Sequence, residues 1–142
     1  MNDPTLAGFE ISSASPDEFK DALDLQGRVF QLPSSYFETL ALKDPVFDFE
    51  NVLIAKHRGR IVSHVQVFPK MVRIGNAQVW MGGIGGVATD PEYRGKGLAT
   101  ALLNEALNMM RRKGYEISLL FTGIHDFYRR LGCCLLYTSD AA

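Results

Sequence analysis

Residues 89–103 read TDPEYRGKGLATALL: a proline-marked turn, a short basic glycine loop, and the start of a helix. Pro91 stops the strand before it, and from Gly97 the residues Leu98, Ala101, Leu102, Ala106 and Met109 recur at helical spacing. A helix opening at Gly97 leaves its first amide N–H groups without partners. With the positive end of the helix dipole they form an anion site. Gly95 and Gly97 let the backbone come close, and Arg94 and Lys96 add charge for phosphate oxygens. A solvent turn with two surface cations has the same residues, so the loop alone leaves both readings open.

Two phosphate motifs can be tested against the stretch. A Walker A loop needs glycine five positions before its Gly-Lys and serine or threonine after it, but Asp90 and Gly97 stand there. Gly83, Gly85 and Ala88 fit a G-x-G-x-x-A dinucleotide pattern, yet Asp90-Pro91 intervenes before any helix opens. Neither motif explains the loop.

Working outward, the strand before the loop spans residues 79–88 and is rich in glycine at Gly82-Gly83-Ile84-Gly85-Gly86. Glycine inside a strand marks a bulge or the close approach of a ligand or another backbone. Upstream, residues 51–56 and 61–68 are strands rich in valine and isoleucine with a turn at Arg58-Gly59, and residues 71–74 continue the meander into 79–88 across Gly75-Asn76. Residues 8–12 form a first strand. Ser15-Pro16-Asp17-Glu18 then starts a helix by a capping box, and residues 36–42 form a second, shorter one. Downstream, Arg111, Arg112 and Lys113 favour the end of the central helix and Gly114 closes it. Residues 116–121 are a strand and 124–131 a short helix. The predicted order is β-α-α-β-β-β-α-β-α, a mixed α/β fold.

The 142 residues suit one domain. The 46% hydrophobic and 22% charged content is that of a soluble globular chain with a core of its own. Fifteen basic against sixteen acidic residues argue against a broad nucleic-acid footprint. No apolar stretch approaches the roughly 20 residues that cross a bilayer, and the N-terminus does not read as a secretory signal. Cys133 and Cys134 are adjacent, which gives neither a staple across the fold nor a zinc pattern. The expected setting is the cytoplasm, without metal, nucleic acid or membrane.

These residues resemble the Gcn5-related N-acetyltransferases (GNAT). The family signature, Arg/Gln-x-x-Gly-x-Gly/Ala entering a central helix, is filled by Arg94, Gly97 and Ala99, and Val87-Ala88-Thr89 ends the strand before it. The family's Tyr-x-x-x-Gly-Phe step is matched by Tyr128 to Gly132, with Cys133 where an aromatic is usual. The likeness runs from Phe9 to Gly132. The Gly85-Gly86-Val87-Ala88-Thr89 run resembles the enhanced-intracellular-survival branch, whose members carry further domains.

The resemblance implies acetyl transfer from acetyl-CoA to a primary amine, a small molecule or a peptide, by direct attack in a ternary complex. It places the CoA pyrophosphate on the loop amides of Arg94, Gly95, Lys96, Gly97, Leu98 and Ala99. It lays the pantetheine arm along Val87, Ala88 and Thr89, with the Val87 amide on the thioester carbonyl. Tyr128 matches the general acid. The base stays open among His125, Asp126, Glu116 and water, because residues 79–88 contain no carboxylate where relatives place a glutamate. His57 and His64 read as structural, and Trp80, Met109 and Met110 as core. A non-catalytic CoA-binding or regulatory module is the alternative reading, and the missing strand carboxylate favours it.

The last nine residues, CLLYTSDAA, match no element of this fold. They resemble the translation of a transposase mosaic-end sequencing adapter. Residues 1–133 are therefore expected to be a GNAT domain incomplete at its C-terminus, lacking the last two strands, and 134–142 a non-native tail. On that reading the fragment binds CoA weakly and turns over poorly, and a longer parent can form a homo-oligomer.

Overall fold

The computed structural model describes residues 6–134. Among them, the strands β1 (Phe9–Ser13), β2 (Val52–His57), β3 (Arg60–Ile74), β4 (Ala77–Thr89) and β5 (Ile117–Leu119) form one sheet in the order β1-β2-β3-β4-β5. The first four are antiparallel and β5 runs parallel to β4. The helices are α1 (Phe19–Phe30), α2 (Ser34–Leu42), α3 (Leu98–Arg112) and α4 (His125–Arg129). The element order is the one predicted from sequence.

Local chemistry accounts for the ends. The Ser15 amide donates to the Glu18 carboxylate at 2.9 Å, and Pro16–Glu18 form a 3-10 turn that runs into α1. Arg58 and Gly59 both take positive φ, 50° and 77°, as a two-residue hairpin turn matched to strand twist requires.

Two expectations are corrected. The break expected between residues 68 and 71 is absent, and β3 runs unbroken through Pro69. β2 pairs with β3 only as far as Gln66, so Pro69, opposite Gly82, sits where β3 has β4 alone beside it. A missing N–H is tolerated in that position. β5 is shorter than residues 116–121 because it pairs with β4 over only three positions, Met81↔Ile117 to Gly83↔Leu119.

Strand alternation sends side chains to two apolar layers. Leu53, Ala55, Val65 and Val67 pack with Leu98, Leu102, Leu103, Ala106 and Tyr128 on the α3–α4 side. Val52, Ile54 and Ile61 pack with Phe19, Ala22, Leu23 and Leu25 of α1 on the other. The sheet is thus covered on both faces, and β4 carries the site between them.

Of the expected non-native tail, Cys134 alone falls among the described residues, where it is exposed and free. Residues 135–142 lie outside them.

Candidate active site

β4 has two unlike halves. β3 runs along it on one side, and β5 flanks the other side only at Met81–Gly83; from Ile84 to Thr89 it has β3 alone among the described residues. The second half therefore presents an open row of backbone groups, the kind of edge that an extended ligand pairs with.

At the start of that open half the ladder slips. His64 pairs with Ala88 and Gln66 with Gly85, which sets Gly86 and Val87 against the single residue Val65. This is a β-bulge, and it bends the strand away from its neighbours. Gly86 takes φ +60°, and a Cβ there would meet Gln26 Oε1 at 2.6 Å and His64 Cε1 at 2.9 Å. The neighbouring glycines have a packing reason instead. Gly82 makes room for the Met110 side chain of α3, and Gly85 for the Phe68 ring.

The bulge is held from β3. Ser63, fully buried, places its hydroxyl 3.2 Å from the Ala88 carbonyl and 2.9 Å from the Thr89 hydroxyl. His64, also fully buried, donates from Nδ1 to the Gly86 carbonyl at 2.6 Å. A carbonyl only accepts, so Nδ1 carries the proton and Nε2 accepts from the Gln26 side-chain amide at 3.3 Å. Burial pushes the His64 pKa down to about 4, against the opposing pull of the Gly86 carbonyl.

Beyond Thr89 the chain turns through a 3-10 turn, Pro91–Tyr93. Buried Asp90 accepts from the Glu92 amide at 3.1 Å and from Arg60 Nη2 at 2.7 Å, while its own N–H reaches the Val62 carbonyl. Tyr93 is fixed by His57, whose Nδ1 lies 3.1 Å from the phenol oxygen, and by an edge contact with Phe9. The turn thus enters the loop from an anchored base.

The loop itself is open. Gly95 and Gly97 take φ +77° and +81°, and Gly97 caps α3 in the left-handed conformation. The first α3 amide to bond backward is that of Ala101, to the Gly97 carbonyl at 3.0 Å. The amides of residues 95–100 have no hydrogen-bond acceptor among the described residues, and residues 94–97 are exposed. Arg94 rests its Nε 3.3 Å from the Thr89 carbonyl, and Lys96 makes no ion pair among the described residues. Six free amides, two cations and an adjoining open strand edge are what a pyrophosphate followed by an extended arm requires.

Tyr128, 8% exposed, lies in the same apolar cluster as Leu98, with Ile84 and Val87 packed against it. Burial raises its hydroxyl pKa, and the neighbouring Cys133 thiol adds to the rise, so the phenol keeps its proton at neutral pH. His125 and Asp126 are exposed on the first turn of α4, where Asp126 pairs with Arg129 at 3.5 Å. Glu116 lies just before β5, its amide on the Trp80 carbonyl. A groove of about 1020 Å³ runs between β1 and α3, lined by Ile11, Ser13 and Asn104 and, next to the free amides, by Gly97 and Thr100. Among the described residues no cluster of His, Cys, Asp or Glu is placed to hold a metal.

The chain matches the family described as acetyltransferase (GNAT) domain over residues 10–136, and it belongs to that family. An uncharacterised N-acetyltransferase of Methanocaldococcus jannaschii is 37% identical over 51 residues, 32% of this chain and 23% of the relative. Among solved structures, an acetyltransferase of Trypanosoma brucei has a TM-score of 0.73 at 20% identity, covering 94% of this chain and 98% of that one. Eis1 of Mycobacterium abscessus has a TM-score of 0.72 at 20% identity, covering 87% of this chain and 30% of that one. The chain thus spans less than a third of the Methanocaldococcus protein and of Eis1.

Proposed function

We propose that the chain carries an acetyl-CoA-dependent N-acetyltransferase site, moving an acetyl group to a primary amine by direct attack. The observation that carries this reading is the open half of β4, Ile84–Thr89, running straight into the free amides of residues 95–100. Acetyl-CoA supplies a thioester carbonyl activated for attack. The residue 95–100 amides, with Arg94 and Lys96, grip the pyrophosphate, and Val87, Ala88 and Thr89 orient the pantetheine arm as an added strand. The Val87 N–H donates to the carbonyl oxygen as negative charge grows on it. As the new C–N bond forms and the C–S bond breaks, the Tyr128 hydroxyl gives its proton to the departing sulfur. The amine's own proton leaves to a base for which His125 is a candidate, with Asp126, Glu116 and water beside it.

Calorimetry with acetyl-CoA and with ATP tests the cradle, and release of free CoA thiol over a panel of amines tests the chemistry. Binding of acetyl-CoA but not ATP, with amine-dependent thiol release, is the expected result. Acetyl-CoA binding without thiol release from any amine would leave a CoA-binding module, which the absence of a carboxylate in β4 favours.

We place the parent protein nearest the enhanced-intracellular-survival branch, on the Gly85-Gly86-Val87-Ala88-Thr89 run and the shared fold of Eis1. A genomic locus encoding a sterol-carrier-like domain downstream is expected; a locus ending after one domain sinks this placement. A cytoplasmic location is part of the proposal.

A further inference from the structure

The oxyanion role given to Val87 depends on where its N–H points, and that direction is set by a different residue. The Val87 N–H and the Gly86 C=O belong to one peptide unit, which is planar and trans, so the two groups point opposite ways. In an ordinary strand the ladder would orient this unit. Here the bulge removes Gly86 and Val87 from the β3 register, and Gly86 at φ +60° has the freedom to rotate. The hydrogen bond from His64 Nδ1 to the Gly86 oxygen, at 2.6 Å, holds the unit by a side chain where the regular register is interrupted. Gln26, on α1, donates to His64 Nε2 and so selects the tautomer that keeps the proton on Nδ1.

We propose that His64, seated by Gln26, is a positioning residue that fixes the Gly86–Val87 peptide and aims the Val87 N–H away from β3 at the reacting carbonyl. The inference rests on the acetyltransferase reading for its purpose, though the hold on the peptide stands by itself. The packing supports a dedicated device. Both side chains are buried, at 0% and 2% exposure, and no buried side-chain nitrogen or oxygen among the described residues lacks a partner. A hydrogen bond to the carbonyl also polarises the unit, making its N–H a stronger donor. The device couples α1 to β4 across the sheet, so the layer opposite the cofactor helix takes part in the chemistry.

The test has an arm without ligand and an arm with acetyl-CoA. In the first, nitrogen NMR of the free protein reads the His64 tautomer and the Val87 amide resonance in wild type, His64→Leu, His64→Gln and Gln26→Leu. A protonated Nδ1 in wild type, a displaced Val87 amide in His64→Leu and Gln26→Leu, and a near-native one in His64→Gln are expected, because glutamine restores an N–H donor. An unmoved Val87 amide in a folded His64→Leu overturns the proposal, as does a wild-type His64 protonated on Nε2. If His64→Leu fails to fold, Gln26→Leu and the Gln rescue carry the same decision. In the second arm, the infrared stretch of carbonyl-labelled acetyl-CoA reads the hydrogen bond at the thioester. His64→Leu should lose about half or more of the wild-type shift while affinity stays within about threefold, and turnover should fall about tenfold to hundredfold. An unchanged stretch in that variant overturns the proposal. No acetyl-CoA binding by wild type, with the first-arm results intact, would instead overturn the acetyltransferase reading and leave the hold on the peptide standing.

Discussion

At His64 a neutral imidazole is held fully buried, and this makes the fold sensitive to acid. The folded pKa is pushed down to about 4 from an ordinary value of 6.5, so the unfolded chain takes up the proton first as pH falls. The stability due to this group is full above pH 6.5 and is lost as pH falls toward 4. The steepest slope is about 1.4 kcal/mol per pH unit. Urea melts between pH 7.5 and 4.5 should show this loss, and His64→Gln should flatten the profile; parallel profiles would contradict the assignment. Gly86→Ala forces a methyl against Gln26 Oε1 and His64 at a φ that disfavours side chains. A loss of about 1–3 kcal/mol in a urea melt is expected. Tyr128→Phe removes the phenol proton while keeping the buried ring. Turnover should fall about 10²–10⁴-fold with acetyl-CoA affinity retained, and an unchanged rate removes Tyr128 from the mechanism.

Among the elements, α3 does two jobs with its two ends. Its flank buries Leu98, Leu102, Leu103 and Ala106 against the sheet, and its N-terminus leaves free amides over the end of β4. The same packing that holds the helix fixes the proposed cradle. The charged part of that cradle is separable from the backbone part. Arg94 and Lys96 are exposed, and replacing both with alanine should leave the melting temperature almost unchanged. Each lost charged contact to a phosphate costs about 1.5–3 kcal/mol, so acetyl-CoA affinity should drop at least tenfold by calorimetry. Affinity equal to wild type would show that the amides alone hold the ligand. β4 is likewise a two-part element, paired on both sides at Met81–Gly83 and, among the described residues, with β3 alone beyond it.

Across the whole molecule, two apolar layers hold the same sheet from opposite faces. Leu102 is fully buried on the α3 side and Ile54 on the α1 side. Truncating either to alanine should cost about 2–5 kcal/mol, the usual range for a core cavity. Phe121, 94% exposed, should tolerate serine within about 0.5 kcal/mol. Denaturant midpoints of the three variants check the contrast. Equal costs at Leu102 and Phe121 would contradict the described core.

Much of this was legible in local sequence. Asp90-Pro91, the glycines of residues 95–97 and the apolar period from Leu98 mark a strand end, a loop and a helix start, because turn chemistry and helical spacing act over a few residues. The same is true of the hairpin at Arg58-Gly59. The joining of residues 61–68 and 71–74 into one strand through Pro69 is not legible locally, because only pairing shows that β2 stops at Gln66. Gln26 was passed over and His64 read as structural, without its hold on Gly86. That network joins residues 38 and 22 positions apart, and no local pattern announces it. Asp90 and Arg60 meet across 30 positions in the same way. The sequence by itself determined the element order, the loop and the family, since each rests on short-range rules. Only the tertiary structure decided which backbone groups stay unpaired and what holds them, because an open strand edge and a pinned peptide exist only once distant segments pack.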